Sequence, residues 1–196
     1  MIIGITGGIA AGKSEIGEHL KKKGYYVVCA DDVTVSLYKK GSFALSEIEN
    51  IFGSEVFENG ELNRKKLADI VFSSPYELAK LNRLMWDKVK AEVESRIREY
   101  YKNFHTSKPV FLTAALLIEA GWTRFMDSVW VVCADEEIRI GRMLKRNNLT
   151  REEALKRINS QMNDKDRIEY ADIVLYNNGT SKELLTQVDK ILSNMI

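Results

Sequence analysis

Ile2-Ile3-Gly4-Ile5-Thr6-Gly7-Gly8-Ile9-Ala10-Ala11-Gly12-Lys13-Ser14 carries the pattern G-x-x-x-x-G-K-[ST] from Gly7 to Ser14. The β-branched run Ile2 to Thr6 reads as a strand, and Ile16 and Leu20 begin a helical period. The loop therefore stands between strand and helix, the setting the pattern requires. Glycines there let main-chain N–H groups converge on phosphate oxygens, and the helix N-terminus adds a favourable field. Lys13 is placed to reach the β- and γ-phosphates, and the Ser14 hydroxyl to take a position on Mg²⁺. A chance glycine turn would not bring the lysine, the serine and both flanking elements with it. The expected ligand is a nucleoside triphosphate, ATP with magnesium, held by Gly8, Ile9, Ala10, Ala11, Gly12, Lys13, Ser14 and Glu15.

Outward from the loop, Tyr25 to Cys29 is a second apolar run after Gly24, which reads as a helix C-cap. Pro109–Thr113, Ser128–Cys133 and Asp172–Tyr176 are three more, and none alternates apolar with polar. Continuous apolar strands separated by helices predict a parallel sheet covered by helices on both faces, an α/β fold. From Asp32 to about Lys108 no comparable strand occurs. Helices are expected near Phe43–Phe52 and Arg64–Phe72, followed by a long one opening at Ser74-Pro75. There Ser74 caps, Pro75 takes the first helical position and Glu77 completes a capping box. Leu78, Leu81, Met85, Val89, Val93, Ile97 and Tyr100 follow at steps of three and four, an apolar stripe about seven turns long. Residues 33–105 thus read as a helical insertion that walls a substrate cleft, set into a core of 1–32 and 106–196. Thr150 with Glu153 and Thr180 with Glu183 predict two further capped helices. The helix before the first of these is expected to stop near Asn147-Asn148.

Hydrophobic residues are 45% and charged residues 29% of the 196, a chain able to bury a core. Lys plus Arg number 29 against 28 Asp plus Glu, so no overall field draws a polyanion, which argues against nucleic acid as a partner. The longest apolar stretch, near Val110–Ile118, is too short to span a membrane, and no signal peptide is read at the start. Cys29 and Cys133 end apolar runs without metal spacing and read as reduced core cysteines, which places the protein in the cytoplasm.

Asp31 and Asp32 follow the second strand, at the strand ends where a parallel sheet opens its ligand crevice. Asp31 is the candidate to orient an acceptor hydroxyl or take its proton. Asp32 reads as the cap of a short helix after Val33. Arg142 and Arg146 lie four apart on one helix face with no acid at helical spacing, whereas Arg139 has Asp135 to pair with. Two such arginines fit a triphosphate, or else a solvated basic face. Asp135 reads as an N-cap rather than a metal ligand, and Glu119 is open between a metal-side role and none. His19 and His105 show no partners and read as surface residues.

Together these motifs resemble the dephospho-coenzyme A kinase family, from Ile3 to about Gly179. The loop Gly4–Ser14, Ala30-Asp31, Phe52-Gly53, Leu62-Asn63-Arg64 with Leu67 and Val71-Phe72, and Leu81-Asn82 carry the resemblance in order. Leu116-Leu117-Ile118-Glu119, Arg142, Arg146, Thr150-Arg151, Gln161, and Ala171-Asp172 with Asn177-Asn178-Gly179 complete it. The resemblance implies a five-stranded parallel sheet of order 2-3-1-4-5, a helical acceptor-binding domain and a helical lid at about 139–168. It implies transfer of the ATP γ-phosphate to the ribose 3′-hydroxyl of dephospho-coenzyme A. In that case Asp31 is the base, Lys13, Arg142 and Arg146 stabilise transferring charge, Ser14 holds Mg²⁺ and Asn177 lies near the nucleotide. The sequence departs from the family at Cys29, Val35, Trp86-Asp87, Ala115 and Glu15. Another small-molecule or nucleotide kinase on this scaffold, or a nucleotide-binding regulatory protein without turnover, are the alternatives.

Overall fold

The apolar runs pair side by side. In the computed structural model, which describes residues 1–39, 42–147 and 149–195, the strands in chain order are β1 (Ile2–Gly7), β2 (Tyr26–Cys29), the two-residue β3 (Phe57–Glu58) and β4 (Glu61–Leu62), β5 (Val110–Thr113), β6 (Ser128–Cys133) and β7 (Ile173–Tyr176). Five of them form one sheet in the order β2-β5-β1-β6-β7, every pair parallel, which is 2-3-1-4-5 when those strands alone are counted. β1 is central, with Ile3 opposite both Phe111 and Ser128. Parallel pairing puts all five carboxyl ends on one edge, and the phosphate loop leaves from the middle of it.

The chain divides into two compact units. The first, Met1–Cys29 with Phe104–Ile196, contains the sheet. Its helices include α1 (Lys13–Lys22), α6 (Glu136–Asn147), α7 (Arg151–Asn159), α8 (Asp164–Ile168) and α9 (Ser181–Ser193). Ile16 and Leu20 of α1 and Leu184, Val188 and Leu192 of α9 close over Ile3, Ile5, Phe111, Trp130, Val132 and Leu175 of the sheet. Phe111 meets Tyr25 and Trp130 edge-on, with centroids 5.3 and 5.6 Å apart. α1 stops where predicted. Gly24, at φ 82°, donates to Lys21 O, and Tyr25 N–H reaches Leu20 O, the two bonds of a Schellman end. The boxes at Thr150/Glu153 and Thr180/Glu183 are both closed. Asn148, at the expected stop before α7, lies outside the described residues.

The second unit, Ala30–Asn103, holds α2 (Ala30–Leu37), α3 (Phe43–Phe52), α4 (Arg64–Ser73) and nearly all of α5 (Pro75–Phe104). α5 has 30 residues, about eight turns rather than seven, and buries Leu81, Met85, Val89, Val93 and Ile97 along the predicted stripe. Ser74 Oγ accepts from Glu77 N–H at 3.4 Å, while the Glu77 carboxylate is engaged by Lys80. The unit is not purely helical. Asn59 and Gly60, at φ 53° and 76°, turn β3 into β4 as a two-residue hairpin.

Two further sequence expectations fail. α2 begins at Ala30, so Asp32 is not its cap. Both Asp31 and Asp32 sit in its first turn, where carboxylates complement the helix field. His19 is not without a partner either: its Nε2 lies 2.6 Å from Asp189 Oδ1, and the bond to His19 holds the Asp189 carboxyl below its ordinary value.

Candidate active site

The loop after β1 is shaped by two close approaches that only glycine permits. A Cβ on Gly8 would stand 2.6 Å from the Arg139 Cζ atom, and one on Gly12, at φ 121°, would stand 2.3 Å from Asn177 Nδ2. Ala10 holds a left-handed φ of 60° without being glycine. Ala11 N–H closes on Gly8 O at 3.1 Å, and Glu15 and Ile16 close on Gly12 O. Among the described residues, no acceptor in the protein meets the amides of Ala10, Gly12 and Ser14. These amides gather at the N-terminus of α1, whose aligned dipoles favour an anion. The Lys13 ammonium lies over the loop, 2.6 Å from Gly7 O and 3.1 Å from Gly8 O. Ser14 is exposed in the first turn of α1.

Arg142 reaches the same loop. Its guanidinium donates to Ala10 O at 3.1 Å and, across to the turn after β7, to Asn177 O at 2.9 Å and Asn177 Oδ1 at 3.1 Å. Asn177, 2% exposed, returns a bond from Nδ2 to Ala11 O at 2.7 Å. Arg142 therefore has partners, contrary to the expectation that it awaits an anion. All of these acceptors are neutral, so its positive charge stays uncompensated beside the loop amides. Arg146 stands one turn further along α6, exposed. Gly12→Ala should strain the backbone by about 1–3 kcal/mol and push Asn177 off Ala11. The expected result is a lower thermal midpoint together with at least tenfold weaker ATP binding by titration.

Arg139 does not pair with Asp135. That carboxylate accepts from Asn178 Nδ2 at 2.8 Å, and Asp135 N–H donates to Asn178 Oδ1 at 2.9 Å, which locks the N-terminus of α6 to the turn after β7. Arg139 turns inward instead, donating from Nε to Ile9 O at 3.0 Å and lying 3.4 Å from Asp164 Oδ2. Glu119 Oε1 accepts from Met162 N–H at 3.4 Å and lies 3.5 Å from Arg167. Gln161 Oε1 accepts the Ile9 N–H at 2.8 Å. No sequence spacing pointed to Asp164, and only the resemblance singled out Gln161.

Cys133, at the carboxyl end of β6, is buried, and its thiol is pushed up to about 11 by desolvation. A folded value above the ordinary 9.0 means that the native state keeps its proton longer than the unfolded chain does. This contribution to stability is complete below about pH 9 and is lost as the pH rises towards about 11. Chemical denaturation should accordingly show a fall across that range that Cys133→Ala removes.

The Asp31 carboxylate follows Cys29 at the end of β2 and belongs to the second unit. The site residues in the first unit, from Gly8 to Asn177, gather on the carboxyl-end edge of the sheet, where α/β folds bind ligands. Known proteins share this plan. The dephospho-CoA kinase family model matches residues 1–183. The dephospho-CoA kinases of Streptococcus mutans and Lactococcus lactis are 38% and 36% identical, the matches spanning 99% and 100% of this chain and 97% and 98% of theirs. A solved structure from Thermus thermophilus superposes with a TM-score of 0.83 at 30% identity, covering 100% of this chain and 98% of that one. With its phosphate loop, parallel sheet and full-length match to such relatives, the chain belongs to the dephospho-CoA kinase family.

Proposed function

We propose that this enzyme transfers the γ-phosphoryl group of ATP to the ribose 3′-hydroxyl of dephospho-coenzyme A. In this reading Lys13, Arg142, Arg146 and Asp31 are the catalytic groups. The observation that carries it is one loop that holds the Lys13 ammonium and the Arg142 guanidinium beside the amides of Ala10, Gly12 and Ser14, which meet no acceptor among the described residues. Phosphoryl transfer asks little covalent chemistry of a protein and much positioned positive charge. The amides of Ala10, Gly12 and Ser14 hold the inner phosphates. Lys13 leaves Gly7 O and Gly8 O for the transferring group, where a full negative partner outweighs two carbonyls. Arg142 anchors loop and nucleotide together through Asn177, and Arg146 adds charge on the same helix face.

Magnesium suits this donor set. Among the described residues no three His, Cys, Asp or Glu side chains gather to hold a metal alone, so the ion would rest on phosphate oxygens and water, with the Ser14 hydroxyl as the loop's ligand. When bound it neutralises charge on the β- and γ-phosphate oxygens. Asp31 orients the acceptor hydroxyl and takes its proton. The second unit supplies the acceptor site, and the segment from about 139 to 168 acts as the lid. The balanced charge fits a small-molecule acceptor rather than nucleic acid, and no described helix is long and apolar enough to cross a membrane. The cytoplasm is the expected compartment.

ADP production measured with dephospho-coenzyme A, adenylate, shikimate or no acceptor tests the reading. Turnover only with dephospho-coenzyme A supports it. Equal rates with another acceptor would assign a different substrate, and tight ATP binding without any turnover would make the protein a nucleotide sensor.

A further inference from the structure

We infer that Asp164 is a positioning residue for the phosphate loop: its carboxylate fixes Arg139 in the orientation that braces Gly8 and Ile9, and through it sets affinity for the triphosphate. The inference rests on the reading above only in taking that loop as the ATP site.

Arg139 is 5% exposed and lies directly beneath Gly8, whose missing side chain makes room for the guanidinium. Its Nε holds Ile9 O, while Gln161 holds Ile9 N–H, so the two peptide groups that flank this one residue of the loop are both gripped. Asp164 lies between two arginines. Oδ2 is 3.4 Å from Arg139, and Oδ1 accepts from Arg167 at 3.0 Å. Arg167 is fully buried and reaches Glu119, which accepts from Met162 N–H, the residue after Gln161. The contacts run from Ile9 through Arg139, Asp164, Arg167 and Glu119 to Met162, and the chain itself closes the circuit through Gln161 back to Ile9. It contains two cations and two carboxylates.

Asp164 is the member whose loss would change the loop. A cavity of about 630 Å³ is lined by both Arg139 and Asp164. Without the carboxylate, Arg139 would be left buried beside a second guanidinium, and the cavity offers it a hydrated place to go. Swinging there it would release Ile9 O and the support under Gly8. The next residue is Ala10, in its left-handed conformation, and the amides of Ala10, Gly12 and Ser14 would lose the fixed geometry that suits them to phosphate. Loss of pre-organisation weakens ground state and transition state alike, which raises KM with little change in kcat.

The test compares wild type, Asp164→Asn, Arg139→Gln and the double variant. Each is measured for KM of ATP, KM of dephospho-coenzyme A, kcat, and ATP binding by calorimetry without acceptor. Asp164→Asn keeps the volume and removes the charge. The expected result is a KM for ATP about tenfold higher, with kcat and the acceptor KM within twofold. The double variant should be no worse than Arg139→Gln alone, because Asp164 acts through Arg139. A KM for ATP within twofold of wild type, or losses that multiply in the double variant, would overturn the proposal. If Asp164→Asn does not fold, Arg139→Lys decides. Lysine keeps the charge that Asp164 pairs with but lacks the rigid fork whose Nε meets Ile9 O while Nη1 faces Asp164, so the same selective loss for ATP is expected and a normal KM refutes it. A wild-type protein idle towards dephospho-coenzyme A would undo the acceptor assignment while leaving the calorimetric comparison intact.

Discussion

Lys13→Ala is expected to lower kcat/KM roughly a thousandfold or more while leaving a folded protein. The ammonium is the only side-chain cation within the loop motif itself, and it lies 2.6 and 3.1 Å from carbonyls at the loop's start. Those carbonyls hold it over the loop, where the proposed reaction builds charge on the transferring phosphoryl group. One positioned donor of this kind is worth two to three orders of magnitude in rate where water is excluded, and a full positive charge adds to that. The folding cost is separable. Removing the ammonium leaves Gly7 O short of one partner, a loss of about 1–3 kcal/mol, and alanine is a good residue for the first turn of α1. Thermal unfolding should therefore remain cooperative. Lys13→Arg should recover less than a tenth of the lost rate, since a planar fork cannot occupy the place of a compact ammonium. More than a tenth of wild-type kcat/KM in Lys13→Ala, at saturating magnesium, would remove Lys13 from the mechanism.

The sequence exposed what is local and concealed what is distant. The loop, the apolar strands, the helix end at Gly24 and the capping boxes at Thr150 and Thr180 are each decided within a few residues and stand where expected, whereas the Glu77 carboxylate of the third expected box goes to Lys80. The arginines of α6 are the opposite case. Looking only three and four residues away finds Asp135 for Arg139 and nothing for Arg142. Their real partners are Asp164 and Ile9 O for the first, and Ala10 O and Asn177, up to 132 positions distant, for the second. Main-chain carbonyls have no sequence signature, so a guanidinium bonded to them reads as free. His19 and Asp189, 170 positions apart, meet only because α1 and α9 cover the same face. The Asn59-Gly60 turn did carry a signal, but its two-residue strands are too short to show a period. Asp32 was misplaced for a different reason: α2 starts at the strand's very end, and helix boundaries are the least legible feature of any sequence.

That early start of α2 supplies a control for the base assignment. Asp31 and Asp32 are adjacent, both exposed and both in the first turn of the same helix. If their only service were to complement the helix N-terminus, Asp31→Asn and Asp32→Asn would act alike, each costing about 0.3–1 kcal/mol of stability and nothing in turnover. A carboxylate that takes the acceptor's proton breaks this symmetry. Proton transfer by a positioned side chain contributes about 10²–10⁴ in rate, and asparagine preserves the shape while abolishing the basicity. Asp31→Asn should then lower kcat at least a hundredfold with ATP affinity within twofold, while Asp32→Asn stays within threefold of wild type in kcat. Because the two variants share helix, exposure and side-chain type, a difference in turnover at matched thermal midpoints separates catalysis from folding. Equal effects on turnover, whether large or small, would mean that Asp31 does not take the proton.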